Sequence, residues 1–162
     1  MLFLDVEGFQ HGCERFIPKE MCILSSDNPE IVFHFVFQPP TPWSKLSIEQ
    51  QRTYSYQFHR LHTLGWHEGS IPYCKACVLF YITQNIPNYK REHFVVFGKE
   101  KLRFLRVEFP ELKIHMFPNV TLNTLPKAPY YIYCPYRKHG HFKHCSALKC
   151  YRLYLLWLHG HY

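Results

Sequence analysis

The chain has 162 residues, 18% of them aromatic, and a formal net charge of +7 before any of its 12 His is counted. That length accommodates one domain with a substantial apolar core, and the aromatic content excludes low-complexity disorder. No apolar run approaches the ~20 residues of a membrane span, and Asp5 and Glu7 follow Met1 too closely for a secretory leader, so an intracellular protein of nucleus or cytoplasm is expected.

In chain order, Leu2 to Val6 is an apolar run bounded by Gly8, the pattern of a short buried strand. Glu20 to Ser25 and Ile31 to Phe37 predict two more strands, joined by the turn-forming Asp27-Asn28-Pro29 into an antiparallel hairpin beside the first. After the proline-rich stretch at 39–42, Ser47 is a candidate N-cap for a helix that runs to Leu64 and stops at Gly65. A second helix is expected over Tyr73 to Gln84. Phe94 to Phe97 then predicts a strand, Glu100 to Phe109 a helix and Leu112 to Phe117 a strand. A proline-spaced loop covers Pro118 to Pro129, and Cys145 to Leu158 closes the chain as a helix with a dense apolar stripe.

The expected order is therefore β-β-β-α-α-β-α-β-loop-α. Three early antiparallel strands followed by strands alternating with helices imply an α/β fold, a mixed sheet with helices on both faces. That layout resembles RNase H-like domains, with residues 1–162 forming a single domain.

Seven Cys is an odd number, and in a reducing compartment a tight Cys/His group reads as metal ligation rather than disulfide bonding. Three Cys and three His fall in the 17 residues from Cys134 to Cys150. Thiolate and imidazole are the ligands zinc prefers in a tetrahedral set. Cys134 and Cys145 flank a Gly-containing loop with His139, His141 and His144 between them, so three ligands can converge there without strain. His139 has the most comfortable spacing to both thiols and His141 follows it, while His144 also suits a surface position. Cys150 lies about one and a half helical turns beyond Cys145 and is the weaker thiol ligand. The competing reading is a His-rich exposed loop beside structural cysteines. Cys74-x-x-Cys77 also has metal-like spacing, but on a predicted helix with no partner pair nearby it reads as core-facing or redox-inert thiols.

Two of these segments carry a resemblance. Phe16-Ile17-Pro18-Lys19-Glu20-Met21, and Cys134…His139…Cys145-Ser-Ala-Leu-Lys-Cys150, resemble the Maelstrom domain family. The resemblance implies an exonuclease-like fold acting in small-RNA (piRNA) silencing of transposons. It also implies a zinc site in which Glu20 joins Cys134, His139 and Cys145. Read without it, Glu20 is an ordinary strand-edge carboxylate.

Active members of that fold, the DEDD exonucleases, hold two divalent ions with four acidic residues. Asp5-Val6-Glu7 has the D-x-E form of their first motif, and residues two apart on a strand share a face. The rest of the pattern fails. The next acid falls on Lys101, and the last His and Asp fall on Cys145 and Cys150. A lysine cannot bind the ion and thiolates select softer metals. Glu100 and Glu108 are the substitutes at hand. The expectation leans away from an enzyme, with Asp5 and Glu7 catalytic only if the chain is a divergent metal-dependent nuclease.

Basic and aromatic residues intermix at Tyr89-Lys90-Arg91 and again from Tyr130 to Lys138, where Tyr136, Arg137 and Lys138 are consecutive. Positive charge tracks phosphates and exposed rings stack on bases, so Lys90, Arg91, Tyr136, Arg137 and Lys138 are candidates for binding single-stranded RNA. The same rings suit a protein-interaction scaffold for a partner in RNA silencing. Equally, many of the tyrosines suit core or rim positions.

Overall fold

The structure is a computed structural model that describes residues 1–118, 120, 124–127 and 145–160. Its strands are β1 (Leu2–Phe9), β2 (Ile17–Ser25), β3 (Val32–Val36), β4 (His93–Val96) and β5 (Lys113–Met116). Its helices are α1 (Ile48–Gln57), α2 (Lys75–Asn85), α3 (Lys99–Glu108) and α4 (Ser146–Leu158). The element order agrees with the one expected from the sequence. The strands form one mixed sheet in the order β3-β2-β1-β4-β5. β1 and β3 each run antiparallel to β2, whereas β4 runs parallel to both β1 and β5.

β1 is three residues longer than Leu2–Val6 because Gly8 does not end it. The register with β2 shifts between Glu7 and Gly8, a bulge, and pairing resumes with Gly8 opposite Pro18 and Phe9 opposite Ile17. A Cβ at Gly8 would lie 2.0 Å from the Ile17 carbonyl oxygen, so only glycine allows the two backbones this approach. Ser47 is the N-cap of α1, and its side chain and that of Gln50 form a reciprocal capping box. The regular helix ends well before Gly65. A single π-helical stretch over Phe58–His62 follows it and closes on Thr63 in the left-handed region, φ 53°.

Alternation along the strands separates two cores. Leu2, Leu4, Val6, Met21, Ile23, Phe94 and Val96 face α2 and α3, meeting Val78, Ile82 and Leu105. Phe3, Cys22, Leu24 and Val95 face α4, meeting Leu148, Leu153 and Leu156. Helices thus cover both faces of the sheet. Each large apolar side chain buried this way contributes roughly 1.5–3 kcal/mol, so α4 is held by its stripe rather than by helix propensity. Phe3 adds edge-on contacts with Tyr154 and Trp157 at 6.0 and 6.2 Å between centroids. No helix among the described residues is long and apolar enough to cross a membrane.

Candidate functional site

The face under α4 is apolar at one end and polar at the other. Continuing from Phe3, β1 places Asp5 and Glu7 on that face, opposite Cys22 and Glu20 of β2. β3 extends these rows with His34 beside Cys22. The start of α4 covers them with Cys145, Ser146, Lys149 and Cys150, and Asp5, Glu20 and Lys149 are all buried. Two adjoining clusters result.

The first is ionic. Because β4 runs parallel to β1 and stops level with its middle, α3 begins beside the carboxylates. From its first turn, Lys101 donates to Asp5 Oδ1 at 2.8 Å and to Glu7 Oε1 at 2.6 Å. Lys149 Nζ reaches the same Glu7 oxygen from α4. Burial works to raise the Glu7 pKa, but the Lys101 and Lys149 ammoniums outweigh it and hold the carboxyl at about 2. Asp5 is deeper, and burial lifts its pKa above the ordinary value despite the same two lysines. Its Oδ2 is buried without a hydrogen-bond partner among the described residues. Burial lowers the Lys101 pKa and the two carboxylates raise it, with a net rise. Two ammonium groups therefore stand against the two carboxylates of β1.

The second cluster surrounds Glu20. Its Oε1 lies 2.5 Å from His34 Nε2 and 3.8 Å from Cys145 Sγ, and its Oε2 accepts the Ser146 backbone N–H at 3.0 Å. Cys145 is the N-cap residue of α4, so the helix start carries both its thiol and the Ser146 amide to Glu20. Cys150 instead donates its thiol to the Cys22 carbonyl at 3.4 Å. Burial raises the pKa of both Cys22 and Cys150, which keeps them as thiols.

Of the four expected zinc ligands, the structure brings Glu20 and Cys145 together. Cys134 and His139 lie outside the described residues, as do His141 and His144. Among the described residues no three His, Cys, Asp or Glu side chains form a group that could hold a metal ion. The donors at Glu20 are nonetheless of the right kind: a buried carboxylate touching a thiol and an imidazole. Cys134, His139, His141 and His144 fall in the stretch 128–144, which directly precedes Cys145 in the sequence.

Glu108, one substitute acid, is committed elsewhere. It accepts from Arg15 at 3.0 Å and from the Tyr73 hydroxyl at 2.7 Å. Glu100 is exposed on α3. Lys90 and Arg91 are exposed in the turn before β4. Since Leu2 pairs with Phe94, that turn lies at the end of the sheet opposite Asp5 and Glu7, and the fold does not bring them together. Tyr136, Arg137 and Lys138 lie outside the described residues.

The Cys74–Cys77 pair is not core-facing. α2 starts at Lys75, later than the pattern suggests, which leaves Cys74 as its N-cap and Cys77 exposed on its first turn. Val78 and Ile82 carry the buried stripe instead. His34 and Lys149 escaped the sequence reading. His34 is a lone polar residue in Ile31-Val32-Phe33-His34-Phe35-Val36-Phe37, and Lys149 is a charge inside an apolar helix. Both were visible as breaks in otherwise apolar runs.

No family model matches the chain, and no curated protein or solved structure matches it significantly.

Proposed function

We propose that the chain is a zinc-stabilised pseudo-exonuclease domain of RNase H-like, Maelstrom-like type, binding single-stranded RNA in small-RNA control of transposons. The observation that carries this reading is Lys101, whose ammonium lies between Asp5 and Glu7 at 2.8 and 2.6 Å. A cation fixed to the chain serves the electrostatic need that Mg²⁺ ions serve in an active relative, but it supplies no activated water. The sheet order β3-β2-β1-β4-β5, with β2 alone antiparallel to the other four strands, supports the RNase H-like assignment. Contact between Glu20 and Cys145, 125 positions apart in sequence, supports a zinc site tying α4 to β2. There Glu20 and Cys145, with Cys134 and His139, would hold the ion, whose part is to fix the helix start to the sheet.

In this reading the net charge of +7 and exposed Lys90 and Arg91 attract the RNA backbone, and Tyr136, Arg137 and Lys138 add stacking and phosphate contacts. A second reading, a scaffold for a protein partner in RNA silencing, draws on exposed rings: Tyr56 on α1 and Phe80 on α2 are 62% and 66% exposed.

The test has two arms. Metal analysis with anomalous scattering on protein purified without chelator should find one zinc per chain at Glu20, Cys134, His139 and Cys145. Absence of stoichiometric zinc, or unchanged melting of Cys134→Ser and Cys145→Ser, would overturn the metal site. Single-stranded RNA binding should weaken steeply as salt rises and drop on Lys90→Glu with Arg91→Glu. Salt-insensitive capture of a protein, without RNA affinity, would favour the scaffold.

A further inference from the structure

Apart from the sheet clusters, the described part of the chain holds a second pair of reactive groups. Cys74 caps α2, and its sulfur accepts the backbone N–H of Cys77 at 3.4 Å. Cys74 is partly exposed and Cys77 exposed, whereas Cys22, Cys145 and Cys150 are buried. Two solvent-accessible thiols three positions apart, one on the N-cap and one on the first turn of α2, have the Cys-x-x-Cys spacing of a dithiol that can close.

We propose that Cys74 and Cys77 form a redox-active dithiol that closes to an intrachain disulfide on reaction with a small-molecule disulfide of the glutathione type. Cys74 is the attacking group. The Cys77 thiol and backbone N–H, together with the Ala76 N–H, hydrogen-bond to its sulfur and lower its pKa, while the Cys77 pKa is raised. The unpaired amides at the start of α2 favour negative charge in the same place. The Cys74 thiolate attacks one sulfur of the oxidant, forming a mixed disulfide and expelling a glutathione thiolate. Cys77 then attacks the Cys74 sulfur, its proton going to solvent or to the expelled thiolate. The second glutathione leaves as Cys74 and Cys77 join. The dithiol loses two electrons and the oxidant gains them. Since Cys74 precedes the first helical residue, the bond can form without unwinding α2, and the internal cysteines are shielded from the reagent.

The experiment treats the reduced full-length chain with glutathione buffers of graded oxidised-to-reduced ratio, then alkylates it and maps peptides by mass spectrometry. The expected product is a Cys74–Cys77 bond with a loss of about 2 Da. Cys77→Ser should halt at a glutathione adduct on Cys74, and Cys74→Ser should slow reaction at Cys77 roughly tenfold. Circular dichroism checks that both variants keep the fold. Separate adducts on the two cysteines of the unaltered chain, no reaction at either, or equal rates in the two variants would overturn the proposal.

Discussion

Lys101 Nζ lies 2.8 Å from Asp5 and 2.6 Å from Glu7, joining α3 to the central strand through charges more than 90 positions apart. Removing Lys101 leaves Asp5 uncompensated and Glu7 with Lys149 alone, and breaking such a buried set costs up to about 3–5 kcal/mol. Lys101→Met is therefore expected to lower stability by that amount in urea unfolding. Adding Asp5→Asn to Lys101→Met should recover part of the loss, since one of the stranded carboxylates is then neutral. A simple sum of the two single effects would mean that the groups do not interact.

The same contact makes stability depend on acid. The Glu7 carboxyl sits at about 2 when folded against an ordinary 4.5, so as pH falls the unfolded chain takes up this proton first. Its share of stability is complete above pH 4.5 and is lost as pH falls through the folded value. Asp5 is shifted upward and acts in the opposite sense, its share falling as pH rises through its ordinary 3.8. Urea midpoints for Glu7→Gln should decline less steeply on acidification than those of the unaltered chain. Parallel curves would show that Glu7 is not shifted.

Magnesium offers a direct contrast with an active nuclease. Because Lys101 and Lys149 already neutralise the carboxylates, millimolar Mg²⁺ or Mn²⁺ is expected to leave the melting temperature unchanged within ~1 °C. Purified protein is expected to cleave single-stranded RNA no faster than the Asp5→Ala, Glu7→Ala double variant. A metal-dependent rise in melting temperature, or cleavage abolished in that variant, would restore a catalytic role.

Gly8 controls where Glu7 sits. With a Cβ 2.0 Å from the Ile17 carbonyl, Gly8→Ala must push β1 and β2 apart at the bulge, at a cost of about 1–3 kcal/mol. The expected signature is a lowered melting temperature together with a weaker Lys101 contribution in the double-variant comparison above. Wild-type stability in Gly8→Ala would show that the bulge tolerates a side chain.

The local pattern alone was enough to read the order of strands and helices, the Ser47 cap and the shared face of Asp5 and Glu7. These depend on short-range periodicity, on turn chemistry and on side-chain oxygen beside free amides, all present within a few residues of chain. Lys101 was legible only as a charge near the start of the predicted helix over Glu100 to Phe109. That its ammonium occupies the space between Asp5 and Glu7 was decided only by the parallel pairing of β4 with β1, which sets the start of α3 beside them. The register of β2 with β3 likewise placed His34 against Glu20, and α4 docking brought Cys145 and Lys149 onto that face. Those contacts join positions from 14 to 142 apart, and their geometry follows from strand register and helix packing, which single-chain periodicity does not encode.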